Sequence, residues 1–277
     1  MKIIQKTVNS LDKFQSRHRY LNFGVNTVKK YSQDEGGKLA ALITYYSFLS
    51  IFPLLLAFTT ASQIFLNNYP ALQERIVSSI SYYLPVIGTE LEKRIHGLHQ
   101  SGWALVIALL VTLYGARGGA DAFCYAMNRI WRVPKENQLG FPASYIRSFK
   151  LMAWGGVGLL FAAILSGFAA GITSSRFSSL ISFLISFLVI TGVFYYGLKI
   201  VVDYRSRHRT GILTTAITAA AGVQILLALG TYILTHQLKH LSSLYGAFAV
   251  LLGLVFWIYL QVQVVLYAAE IGSLKSR

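Results

Sequence analysis

The chain has 277 residues, 55% hydrophobic and 13% charged, whereas an average soluble domain carries about 25% charged residues. Its formal charge is +15 and its mean hydropathy +0.53. This balance argues against a soluble enzyme, a disordered chain and a secreted disulfide scaffold, and the one cysteine, Cys124, excludes an intrachain disulfide and a cysteine-built metal cage.

In chain order, residues 1–32 carry a helical stripe, Ile4, Val8, Leu11, Phe14, Leu21, Val25 and Val28, with Lys6, Lys13, Arg17 and Lys29 off it. Such a basic amphipathic segment is expected either to lie on an anionic lipid leaflet or to pack on the protein's own cytoplasmic loops. No nucleic-acid partner is expected, because no RNA-binding motif accompanies the charge. The first apolar run begins at Leu39, with no short apolar region near Met1, so no cleaved signal is expected.

Crossing a hydrocarbon core takes roughly 20 mostly apolar residues. Six stretches qualify: Leu39–Leu66, Gly102–Cys124, Phe149–Ile172, Leu180–Val202, Ile212–Thr235 and Tyr245–Ile271. Arg117 and Asp121 interrupt the second. Counted by connection, 20 Lys/Arg fall on one side and 5 on the other, which places both termini in the cytoplasm. The predicted fold class is all-α: a polytopic membrane protein with six transmembrane helices. Residues 1–38 form a cytoplasmic amphipathic segment, 39–272 a single transmembrane domain and 273–277 a cytoplasmic tail.

Between the first two spans, Leu72, Ile76 and Ile80, then Leu91, Ile95 and Leu98, predict two short outer interfacial helices at about residues 67–101, parted by Leu84-Pro85 and Gly88. Glu92, His96 and His99 share a face of the second, but their number falls short of a metal cage and they read as a solvated polar face. No phosphate-binding loop, zinc HExxH pair or nucleophile elbow occurs. The expectation is no cofactor, no metal, no catalytic residue and no enzymatic activity. His236 and His240 are one turn apart at a span end and read as interfacial.

Ionisable and polar groups at membrane depth are costly and so mark function. Arg117 and Asp121 stand four apart on one helix face, with Gly115, Gly118 and Gly119 beside them. They read as a charged pathway lining or as an intrahelical pair. Tyr45, Tyr46, Ser47 and Ser50 precede Pro53, where a kink is expected. Gln261, Gln263 and Glu270 lie in the last span, and Glu270 is expected to pair with Arg205, Arg207 or Arg209, as a latch or as a proton or substrate site. Gly167 and Gly171, Gly155, Gly156 and Gly158, and Gly246 and Gly253 predict close helix contacts, either within one bundle or at a homo-oligomer seam.

Three ordered passages resemble the YihY/BrkB family of bacterial inner-membrane proteins: Tyr45-Tyr46-Ser47-Phe48-Leu49-Ser50-Ile51-Phe52-Pro53-Leu54, then Ala126-Met127-Asn128-Arg129-Ile130-Trp131, then Tyr245-Gly246-Ala247-Phe248 with Trp257-Ile258-Tyr259 and Ala268-Ala269-Glu270. The chain departs from that family's pattern in Ala268 where a glycine is usual, in the lack of a proline after the fourth span, and in the Arg117/Asp121 pair. The resemblance covers about residues 35–272. It implies six spans in a bacterial cytoplasmic membrane and roles in envelope integrity, serum resistance or movement of lipid-like molecules. It also brings a ribonuclease label, which this chain is expected not to honour because it lacks a histidine/aspartate metal cluster.

The first expectation is a transporter or flippase-like protein for an amphipathic or anionic, lipid-like substrate, with membrane lipids as its partners. Its pathway would run along Tyr45, Tyr46, Ser50, Pro53, Arg117, Asp121, Asn128, Gln263 and Glu270. The alternative is a non-transporting scaffold for the envelope, and a membrane-embedded enzyme ranks last.

Overall fold

The computed structural model describes residues 19–65, 102–172, 176–202, 209–245 and 248–276. Among them are seven α-helices and no strand: α1 (Arg19–Gln33), α2 (Gly36–Phe65), α3 (Gly102–Ile130), α4 (Ala143–Ile172), α5 (Arg176–Val201), α6 (Arg209–Tyr245) and α7 (Phe248–Lys275). The six apolar runs correspond to α2–α7. Within the described residues, Phe183–Val201, Thr210–Gly230 and Leu251–Lys275 are long and apolar enough to cross a membrane. The predicted outer helices with Glu92, His96 and His99, the stripe from Ile4 to Phe14, the Arg205/Arg207 loop and Gly246 lie outside the described residues. So do the side chains of Pro53, His236 and His240, and the surroundings of Gly167 and Gly171.

The chain reverses direction at α2–α7 in turn, and consecutive helices pack side by side. α2 lies against α3, α3 against α4, α4 against α5, α5 against α6 and α6 against α7. α7 returns to α2 and also touches α1 and α3, so the six helices close into a ring. Alternation brings the starts of α2, α4 and α6 and the ends of α3, α5 and α7 to one end of the bundle, where α1 also sits.

Local chemistry sets the helix boundaries. α1 stops because Glu35 adopts a left-handed conformation (φ 58°), and Gly36 then opens α2 with no side chain to collide with the Tyr31 ring. α3 runs to Ile130, six residues beyond the predicted span end, because Arg117 and Asp121 lower hydropathy without breaking a helix. It ends in a Schellman motif. Arg132 is left-handed (φ 50°), its N–H donates to the Arg129 carbonyl at 3.0 Å and the Val133 N–H donates to the Asn128 carbonyl at 2.9 Å. Pro134 follows and cannot extend the helix. α2 is continuous across Pro53, where the sequence predicts a kink. Near the missing N–H, the Ser50 hydroxyl donates to the Ser47 carbonyl at 2.8 Å.

Glycines determine how closely the helices approach, though not at all the predicted positions. On α6 and α7, Gly211, Thr215 and Gly272 bring two backbones together: a Cβ at Gly272 would overlap Thr215 Oγ1 and come within 2.5 Å of the Gly211 carbonyl. On α3, Gly115 faces the Ser50 backbone of α2 and Gly118 lies under the Tyr46 ring. Gly158 meets Val193 of α5, whereas Gly155 and Gly156 face open space. Those two therefore leave room instead of providing contact.

Candidate functional site

The sequence left open which way the apolar stripe of α1 turns. Its apolar stripe faces outward, with Val25 46% and Val28 58% exposed, and its buried face is Thr27, Lys30, Tyr31 and Asp34. These recur at three-, four- and seven-residue steps, so α1 is amphipathic with its polar side inward. The reason lies in what it meets. α7 offers Tyr267 and Glu270, and the Tyr31 ring stacks on Tyr267 with centroids 3.9 Å apart.

Beside that stack, Lys30 joins three segments. Its Nζ donates to Asp34 Oδ2 at 2.8 Å, to the Ile130 carbonyl at 2.8 Å, and to Glu270 Oε2. An ammonium has three protons, and all three are used. The Ile130 carbonyl is one of the orphan acceptors at the end of α3, where the helix dipole also favours a cation. Glu270 is fully buried, and its Oε1 has no hydrogen-bond partner among the described residues. The sequence points Glu270 toward Arg205, Arg207 or Arg209, whose side chains lie outside the described residues; among the described ones the structure brings Lys30 to it. A contact spanning 240 positions leaves no local periodicity to read.

A second, more exposed layer reinforces the junction. Arg129 Nη2 and Lys38 Nζ each lie 3.0 Å from a Glu35 carboxylate oxygen. Lys38, by hydrogen bond and charge, and then Arg129 hold the Glu35 carboxyl below its usual range. Burial first, and the neighbouring Tyr267 second, push the Tyr31 phenol up to about 12. Along α7, Gln263 Nε2 donates to the Tyr259 hydroxyl at 3.0 Å. The Tyr31 hydroxyl lies near Gln263 but outside hydrogen-bond geometry. Asn128 is buried at the end of α3, and its Oδ1 has no partner among the described residues.

Arg117 and Asp121 form a separate joint. Arg117 Nη2 is 3.3 Å from Asp121 Oδ2, and the guanidinium carbon sits 3.7 Å over the Tyr145 ring. The Ser148 hydroxyl donates to Asp121 Oδ1. The pair therefore ties α3 to α4 at the start of α4.

Between these joints lies an apolar cleft of about 540 Å³, walled by α2, α3, α4, α5 and α7. Leu151, Trp154, Val193, Phe194 and Leu198 supply much of its lining, Ser47 and Ser50 its hydroxyls, and Gly119, Gly155 and Gly197 its space. At 1.5 Å per residue, these positions lie roughly 5–20 Å from the α1 end. Trp154 is anchored by its Nε1, which donates to the Val193 carbonyl at 2.9 Å.

The residues expected to form one pathway are thus distributed over three places. Ser50 lines the cleft, and Tyr46 packs over Gly118 next to it. Tyr45 is exposed. Arg117 and Asp121 turn toward α4, and Gln263 and Glu270 face the α1 junction. Of Pro53 only the backbone is described. Sequence reasoning missed Lys30 and Asp34, although their i,i+4 spacing on α1 was a readable signal. It also missed the cleft walls on α4 and α5, which no residue type betrays.

A family model described as virulence factor BrkB matches residues 27–276. The chain is 26% identical over 275 residues to a UPF0761 membrane protein of Psychrobacter sp. (strain PRwf-1), covering 92% of this chain and 48% of that relative. It is 24% identical over 269 residues to inner membrane protein YhjD of Escherichia coli (strain K12), covering 88% and 78%. The chain thus spans about half the length of the Psychrobacter relative. No solved structure matches. The family match begins at Thr27 on the buried face of α1 and ends at Ser276 just past α7, so it takes in each helix that meets at Lys30: the chain belongs to the BrkB family.

Proposed function

We propose that this BrkB-family membrane protein moves a lipid-like amphipathic molecule across or within a bacterial inner membrane, with α2–α7 as six spans and the α1 end in the cytoplasm. The observation that carries this reading is the cleft of about 540 Å³. Its volume falls in the range of ligand sites, and its apolar walls suit acyl chains better than a water-soluble solute. Lys29 and Lys38, exposed at the same end, and the outward apolar stripe of α1 suit an anionic leaflet. In this reading the protein is not an enzyme and needs neither cofactor nor nucleic acid.

Gly155 and Gly156 allow a clean test. A Cβ at either meets nothing within 4 Å, but only Gly155 lines the cleft. Gly155→Leu fills the cleft, and Gly156→Leu is the adjacent control. In vesicles carrying fluorescent phosphatidylglycerol, the wild type and Gly156→Leu should speed exchange between leaflets, and Gly155→Leu should lose most of that gain. Folded wild-type protein that leaves leaflet exchange at the protein-free rate counts against the proposal, as does a fully active Gly155→Leu.

A scaffold is the second reading. Its support is that Arg117, Asp121, Lys30 and Glu270 are engaged in joining helices and do not line the cleft. Under it, Gly155→Leu would retain full function in cells.

A further inference from the structure

We propose that Lys30, Asp34 and Glu270 form a proton-binding site, and that the bound proton holds α1 against α7. The argument begins with a charge count. Two carboxylates share one ammonium, and the side chains are 5%, 11% and 0% exposed for Lys30, Asp34 and Glu270. With all three ionised, the buried trio by itself carries a net charge of −1. Burying a net charge is costly, and the common remedy is to take up a proton.

Among the described residues, no second cation enters the trio. All three Lys30 protons are spent, one of them on the Ile130 carbonyl. On α2, Lys38 is paired with Glu35, and on α3, Arg129 is paired with the same carboxylate, so one surplus positive charge sits beside the trio, but in the more exposed layer, where solvent screens it. On α1 and α7, Tyr31, which interacts with Glu270, and Tyr267, stacked on it, bring phenol rings and no cation. From α6, Thr215 lies against Gly272, two residues on from Glu270, and is uncharged; Arg205, Arg207 and the Arg209 side chain lie outside the described residues. Glu270 Oε1, fully buried and without a partner among the described residues, is the acceptor left over. The proton comes from solvent, forms one O–H bond and belongs to the Asp34–Glu270 pair as a unit. Losing it sets two carboxylates against each other across Lys30, one on each side of the α1–α7 contact.

The test is independent of lipid movement, so its failure and that of the transport reading are separable. The full chain in detergent is titrated from mildly acidic to mildly alkaline while its carboxylic-acid carbonyl stretch is followed by infrared spectroscopy. The wild type should show one protonated buried carboxyl per chain that disappears on alkalinisation. Glu270→Gln and Asp34→Asn, each of which restores one carboxylate per ammonium, should lack it. Amide hydrogen exchange in α1, corrected for its intrinsic pH dependence, should rise about tenfold over the same range in the wild type, as expected for losing one buried contact. It should stay flat in both variants. A wild type with no such band at any pH overturns the proposal, even if neither variant folds, and so does a band that survives in both variants.

Discussion

Lys30→Met removes one ammonium and keeps nearly the same side-chain length. Three acceptors lose their donor at once: Asp34 Oδ2, Glu270 Oε2 and the Ile130 carbonyl. Breaking a buried ion pair by deleting one partner costs about 3–5 kcal/mol, and an orphaned buried carbonyl costs about 1–3 kcal/mol. These do not simply add, because the carboxylates relieve part of the penalty by taking up protons. A net loss of about 4 kcal/mol is expected, which at 2–4 °C per kcal/mol lowers Tm by roughly 8–16 °C. Lys29→Met is the control: its side chain is exposed one position away, and such changes fall within about 0.5 kcal/mol. The assay is thermal unfolding of the detergent-solubilised full chain, followed by circular dichroism. The double variant Lys30→Met/Glu270→Gln should recover part of the loss, giving a coupling of roughly 0.5–3 kcal/mol. If Lys30→Met melts with Lys29→Met, the junction does not hold α1 and the reasoning fails.

Gly272→Ala should cost about 1–3 kcal/mol or more, since its Cβ would press on the Gly211 carbonyl, a backbone atom that cannot rotate away. Gly37→Ala, whose Cβ meets Tyr259 Oη at 3.8 Å, should be near neutral in the same melt. Tyr31 should ionise in a late phase near pH 12. Its folded value lies above the ordinary one, so its stabilising contribution is complete below about pH 10 and fades as pH rises through 12; tyrosinate absorbance should lose that phase in Tyr31→Phe. Glu35 has the opposite sign: its contribution is present above the ordinary carboxylate range and is lost as pH falls through its lowered value. Amide exchange at the end of α3 should therefore quicken on acidification in the wild type and not in Glu35→Gln. Ser148→Ala frees one oxygen of Asp121 and should loosen α4 from α3, read as faster exchange at residues 143–148, with Ser144→Ala as the neighbouring control.

Hydropathy and charge carried far because they depend on neighbours in sequence. The positions of α2–α7 follow from apolar runs, whereas the end of α3, predicted at Cys124, lies at Ile130, set by a left-handed Arg132 and Pro134. Membership of the BrkB family is legible in short passages such as Asn128-Arg129-Ile130-Trp131. The open and the mistaken readings share a cause. The stripe with Val25 and Val28 was expected either on a lipid leaflet or against the protein's own loops, and the sequence could not choose, because lipid or solvent facing an apolar residue looks the same as a core facing it. Gly155 and Gly156 resemble packing glycines, yet contact needs a partner helix at the right rotation.

By itself, then, the sequence determined an all-helical membrane protein with a basic rim, because a membrane selects for composition and charge sidedness, and both can be read residue by residue. Only the tertiary structure decided that Glu270 meets Lys30, that Arg117 and Asp121 bind α4, and that an apolar cleft lies between them. Ring closure brings α7 back to α1 and α2, and a pairing made by closure has no period in the chain.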